Sequence, residues 1–123
     1  MADLPESRRL AELAASAIDD KKGEHVVVLD VSELIWITDL FLIASASTDR
    51  QVKSLAEEVE QRLAVEGRRP LRTEGVQDAR WLLMDYGDFV VHLFQNEVRT
   101  YYDLERLWGD APRTDYPVAV GEI

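Results

Sequence analysis

A chain of 123 residues is long enough for one domain of helices packed on a sheet and too short for two. Its 14 Lys and Arg stand against 24 Asp and Glu, a formal net charge of −10, which opposes wrapping a phosphate backbone and favours a basic protein partner over direct nucleic-acid binding. The absence of cysteine excludes disulfides, thiolate metal sites and a thiol nucleophile, in keeping with a reducing compartment.

The opening stretch MADLPESRRLAELAAS lacks a basic segment followed by an apolar core, and no run approaches the ~18 apolar residues of a membrane span. A soluble, cytoplasmic protein without membrane association is expected. From Pro5 to Lys22 the apolar residues Leu10, Leu13, Ala14, Ala17 and Ile18 recur at three- and four-residue steps, predicting an amphipathic helix that ends near Gly23. HVVVLDV follows as a short run rich in β-branched residues and reads as a buried strand. SELIWIT has mixed character and turns the chain, and DLFLIASAS supplies a second strand. Thr48 and Gln51 have the spacing of a capping box. They open a helix whose buried face is Val52, Leu55, Ala56, Val59 and Leu63, and which stops at Gly67.

RRPLRTEG reads as a short strand that Pro70 assigns to a sheet edge. RWLLMDYGDFVVHLF then gives a hairpin, and EVRTYYDLERLW a final helix with Tyr101, Leu104, Leu107 and Trp108 inward. The order helix, two strands, helix, three strands, helix predicts an α/β (α+β) domain over residues 1–108, with helices packed on a mixed five-stranded sheet. Residues 109–123 carry two prolines and little periodicity and read as a flexible tail.

The hairpin is the informative stretch. With Gly87 and Asp88 as a two-residue turn, Tyr86 opposes Phe89, Met84 opposes Val91 and Leu82 opposes Leu93, a face wholly apolar or aromatic. The other face holds Asp85 with Val90, Leu83 with His92 and Trp81 with Phe94. Each buried large apolar side chain contributes roughly 1.5–3 kcal/mol, so the uniform face is expected against the helices and the mixed face open, or covered by another chain. Trp81 there is an interface anchor or an ordinary core Trp. Asp85 and Asp88 serve a site or simply a strand end and a turn. His92 is a base, a metal ligand or a packed neighbour of Trp81, and no nucleophile with an orienting partner is legible around it. Asp30 with Glu33 or Asp39 is the one carboxylate set that could hold metals for nucleotidyl transfer.

WLLMDYGDFVVHLF, followed by YYDLERLW and preceded by TDLFLIASASTDRQVKSLAEEVE and PLRTEG, resembles the ribosomal silencing factor family, RsfS or Iojap-like, over residues 6 to 108. The long ordered motifs W-x-L-x-D-x-G-D-x-x-V-H and Y-D-L-E-x-L-W make this a specific match. The resemblance implies a nucleotidyltransferase-like fold without the activity, and no cofactor or metal. It implies binding to large-subunit ribosomal protein L-fourteen where the small subunit docks, which blocks subunit joining when nutrients are scarce, and self-association of the free protein. It places Trp81 at the ribosomal contact, with the neighbouring strand residues around Leu83, Asp85 and Tyr86, and Asp88 and His92 complete the expected contact set. The stretch after Trp108 departs from the family core. A general interaction or dimerisation domain would present the same open face without a preference for large subunits. An active transferase would carry a Gly-Ser loop before an Asp-x-Asp or Asp-x-Glu pair, and neither is present.

Overall fold

The structure, a computed structural model, describes residues 4–116. In chain order it contains α1 (Leu4–Asp20), β1 (Glu24–Asp30), β2 (Leu40–Ala46), α2 (Asp49–Val65), β3 (Arg72–Glu74), β4 (Trp81–Asp85), β5 (Phe89–Gln95), α3 (Asn96–Tyr102), α4 (Leu104–Leu107) and β6 (Arg113–Tyr116). The strands form one mixed sheet in the order β3-β4-β5-β2-β1-β6, in which β2 and β5 run parallel and every other neighbouring pair antiparallel.

The apolar periods of α1 and α2 meet one face of this sheet. Leu10, Ala14, Ala17 and Ile18 of α1 and Val52, Leu55, Ala56, Val59 and Leu63 of α2 are buried against Leu42, Leu82, Met84 and Val91. The Thr48 hydroxyl accepts the Gln51 N–H at 3.1 Å, which caps α2, while the Gln51 side chain reaches the Lys22 carbonyl. Only part of the capping box is therefore used inside the helix, and the remainder ties α2 to the end of α1. At the edge, β3 is exposed at all three residues, as the proline-bearing segment predicts.

The expected hairpin register is the observed one. Trp81 faces Phe94, Leu82 faces Leu93, Leu83 faces His92, Met84 faces Val91 and Asp85 faces Val90. Tyr86 and Phe89 close the turn through the Tyr86 N–H on the Phe89 carbonyl at 2.9 Å. Gly87, at φ +91°, supplies the left-handed residue that such a turn requires.

Two expectations need correction. The sheet has six strands, because part of the stretch read as a tail forms β6 and pairs with β1 from Val26 opposite Tyr116 to Leu29 opposite Arg113. RTDY lacks an apolar alternation because an edge strand of this kind buries little, and its pairing is backbone hydrogen bonding to the already buried β1. Residues 117–123 lie outside the described residues. The final helix is also broken in two. Asp103 adopts φ +48° and ψ +57°, a left-handed conformation that Asp tolerates better than most residues, and α4 starts in a new direction. Leu104 is buried and Trp108 half-buried as expected, but Tyr101 and Leu107 are exposed where a continuous helix would have turned them inward.

The turn is clamped from three sides. Arg68 donates to Asp88 Oδ1 at 2.6 Å and to the Tyr86 carbonyl at 2.9 Å, the Ser7 hydroxyl donates to Asp88 Oδ2 at 2.8 Å, and the Asp88 carbonyl accepts the Asp39 N–H at 3.0 Å. Burial alone would raise the Asp88 carboxyl, but the hydrogen bonds from Arg68 and Ser7 outweigh it and hold the group below the usual carboxylate range. A carboxyl depressed in the fold stabilises fully above its unfolded value of about 4, and that contribution is lost as pH falls through the lower folded value. Asp88→Ala is expected to cost about 2 kcal/mol at neutral pH, and denaturant melts below pH 4 should show its difference from the parent shrinking.

Candidate protein-docking face

The second face of the sheet is only partly covered. Val27, Leu29, Ile43 and Phe94 pack beneath Val98 of α3, Leu104 of α4 and Ala111, with Phe41, Trp81 and Trp108 at the rim. Cover over the β5 end therefore comes from this chain itself, which corrects the expectation of a wholly open mixed face. Arg99 holds that cover in place: its buried guanidinium donates to the Glu24 carbonyl and the Ser45 hydroxyl, each at 3.1 Å, and to Glu105 at 2.9 Å. Burial would raise the Glu105 carboxyl, and the Arg99 hydrogen bonds lower it below the ordinary range.

What stays open lies along β4. Trp81, Leu83 and Asp85 alternate along one side of the strand and are all half-buried, while Leu82 and Met84 point into the core. The start of β4 is set by a close approach. Gly75 sits at φ +75°, and a Cβ there would run into the Trp81 carbonyl oxygen. The Trp81 indole lies 5.0 Å from the Phe94 ring and 4.7 Å from Tyr102, centroid to centroid. Tyr102 in turn meets the exposed Tyr101 edge-on at 5.1 Å. Arg80, Trp81, Glu97, Val98, Tyr101 and Tyr102 line a groove of about 410 Å³.

The other sequence-predicted residues fall into different environments. Asp85 accepts the Gly87 N–H at 2.8 Å and faces Arg72 at 3.4 Å, so it shapes the turn at the edge of the open strip. Tyr86 is on the opposite face, stacked on Phe89 at 4.9 Å and 2% exposed, and burial pushes its phenol up to about 12. The Asp88 carboxylate is consumed by the Arg68 clamp. His92 is 5% exposed: it sits beneath Trp81, whose indole N–H donates to His92 Nδ1 at 3.1 Å, and Phe41 stands edge-on to its ring at 4.8 Å. The surface that another chain could touch directly thus contains Trp81, Leu83 and part of Asp85, with Tyr86, Asp88 and His92 behind it.

Sequence reasoning missed Tyr101, Tyr102, Arg80 and Glu97 as groove residues, because the groove forms where α3 meets the start of β4, a tertiary contact that no local period announces. It also passed over the connection between β1 and β2, where Leu34, Trp36 and Ile37 are exposed, Trp36 at 93%. A bare Trp and Ile in a segment read as a simple turn were the available signal. Asp30 is engaged by the Ser32 N–H and hydroxyl at 3.0 and 2.6 Å, a local turn. Among the described residues no group of three or more His, Cys, Asp or Glu is placed to hold a metal ion, and no helix is long and apolar enough to cross a membrane.

A protein-family model described as "Ribosomal silencing factor during starvation" matches residues 4–122 of this chain. The chain belongs to that family. It is 43% identical over 109 residues to the ribosomal silencing factor RsfS of Halalkalibacterium halodurans, covering 89% of this chain and 93% of the relative. It is 41% identical to that of Bacillus subtilis over 88% and 92% of the two chains. The chloroplastic protein Iojap of Arabidopsis thaliana matches at 35% identity over 86% of this chain and 44% of its own length. A crystal structure from Chromobacterium violaceum superposes with a TM-score of 0.80 at 38% identity, covering 83% of this chain and 85% of that one. One from Bacillus halodurans gives 0.76 at 40% identity, over 87% and 97%. The mixed α+β architecture is thus shared with these two solved structures.

Burial drives the His92 imidazole down to about 4, so it is neutral in the fold at pH values where the unfolded chain, titrating near 6.5, is already charged. The unfolded state then binds the extra proton, and stability falls as pH drops from about 6.5 towards 4. His92→Phe should remove this part of the acid sensitivity. In urea melts from pH 7 to pH 4 the parent is expected to lose stability relative to the variant by an amount on the order of 2–3 kcal/mol.

Proposed function

We propose that this chain silences ribosomes by obstruction: it binds large-subunit ribosomal protein L-fourteen through Trp81, Leu83 and the adjoining groove, and thereby blocks association of the small and large subunits when nutrients are scarce. The observation that carries this reading is the half-buried Trp81 on a strand whose outward side is left open, beside a groove with two further aromatic rings. A Trp held by neighbours with one edge available is the usual form of an interface hot spot, because little side-chain freedom remains to be lost on binding. The names of the bacterial relatives support a ribosomal role.

The net charge of −10 suits a basic ribosomal protein and opposes direct contact with RNA phosphates. A domain of this size spans roughly 30 Å, since a 100-residue fold has a radius of gyration of about 13 Å, and so can fill a junction between two large particles. No catalytic step is required, and the protein acts in the cytoplasm. When free, it self-associates through the apolar surface that it otherwise offers to the ribosome.

Three outcomes test the proposal. Trp81→Ala should fold, melt a few degrees lower, and bind large subunits at least about tenfold more weakly in co-sedimentation. A variant that keeps full affinity would remove Trp81 from the contact. Stopped-flow association should slow as salt is raised, with a smaller effect on dissociation, because long-range attraction acts mainly on the encounter. Light scattering of purified subunits should show inhibition of joining that saturates near one copy per large subunit, without nucleotide or added metal. Silencing by far fewer copies would instead point to catalysis.

A further inference from the structure

The hydrogen bond between the Trp81 indole and His92 is an unusual way to satisfy a Trp at an open face. The indole N–H points inward and donates to Nδ1 at 3.1 Å, although Trp81 is only half-buried. Accepting at Nδ1 places the imidazole proton on Nε2, and Nε2 is buried with no hydrogen-bond partner among the described residues. Phe41 at 4.8 Å, Phe94 at 6.3 Å and Trp81 at 5.9 Å surround the ring, and Leu83 is its cross-strand neighbour. An unpaired buried N–H costs stability, so packing alone would favour Phe or Leu at this position. The polar atom that the arrangement uses is Nδ1, and what it holds is the indole.

An indole on a strand can turn over about its ring axis and present either edge outward. With no acceptor beneath it, its N–H is best satisfied by water, which turns the pyrrole edge out and the hydrocarbon edge in. With Nδ1 beneath it, the N–H is satisfied inside and the hydrocarbon edge is left to line the groove with Tyr101 and Tyr102. We propose that His92 is a positioning residue: it selects the orientation of Trp81 that offers a dry, apolar edge to the partner, and does not itself touch that partner. This rests on the docking reading given above for Trp81. It also explains why a polar residue lies under the open strip, 5% exposed, where direct contact is closed to it.

Two variants of the full chain separate acceptor from shape. His92→Phe keeps a ring of similar size and removes the acceptor, and His92→Asn places a side-chain carbonyl near the position of Nδ1. The first readout is water exchange of the Trp81 indole proton by NMR, with Trp81→Phe identifying its signal among the three Trp residues. The second is co-sedimentation with large ribosomal subunits. His92→Phe is expected to remain folded, to exchange the indole proton at least about tenfold faster, and to bind about tenfold more weakly, whereas His92→Asn should recover protection and most of the affinity. An indole proton as protected in His92→Phe as in the parent overturns the proposal, and so does lost protection with unchanged affinity. Should His92→Phe fail to fold, His92→Gln replaces it. Its acceptor reaches the Nε2 position instead, and equal protection and binding in the Asn and Gln variants would overturn the positioning role. A parent chain that does not sediment with large subunits refutes the docking reading, and the exchange measurement still decides whether His92 orients the indole.

Discussion

The geometry of the open face depends on the two-residue turn at Gly87 and Asp88. Side chains alternate strictly along β4 and β5, so this turn decides which residues meet the helices and which do not, and a slip of one residue would exchange Leu82 and Met84 for Trp81 and Leu83. Such a slip of β4 would bury Asp85 against α1 and α2 and turn Leu82 and Met84 out of the core. The penalty is several times the stabilisation from any single contact. The Arg68 clamp then fastens the turn to both helices and to the start of β2, so register and tertiary position are set by one cluster.

Features governed by local period were legible in the sequence. The buried face of α2 is read directly from the three- and four-residue spacing of Val52, Leu55, Ala56, Val59 and Leu63, because a helix on a flat sheet has only one stripe to bury. The pairing of Trp81 with Phe94 and of Leu83 with His92 follows from the turn residues. Features set by a single backbone angle or by a distant strand were not legible. Nothing in YYDLERLW requires Asp103 to turn left-handed, yet that angle separates the exposed Tyr101 from the buried Leu104. RTDY carries no strand pattern of its own, and its place is dictated by the free edge of β1, far earlier in the chain. Of the residues named for the contact, the alternation alone already put Tyr86 on the far face, whereas Asp88 is drawn into the Arg68 clamp and His92 lies buried beneath Trp81 on the same face.

Polar groups under this face are handled in two ways. Arg99 and Glu105 are charged and answer each other, with backbone and hydroxyl oxygens taking the remaining guanidinium donors. His92 has no charged partner and is kept neutral by its apolar surroundings. The first arrangement resists acid to well below neutrality, whereas the second begins to work against the fold once the unfolded chain can take up a proton. The rim of the groove is therefore anchored by electrostatics, and its floor is held by a neutral hydrogen bond that the low dielectric strengthens.

The two margins of the sheet share a small device. On β3, Arg72 pairs with Glu74 at 3.0 Å, and on β6, Arg113 pairs with Asp115 at 2.9 Å, in each case two residues apart and therefore on one side of the strand. A strand added to either margin would have to form beside these charges and strip water from them, which makes edge-to-edge growth costly. A protein that displays Trp36, Ile37, Tyr101 and Leu107 to solvent needs such protection, since exposed apolar groups and bare strand margins together are the ingredients of fibres. Both margins act as end-stops, so that growth of the sheet by added strands is disfavoured at either side.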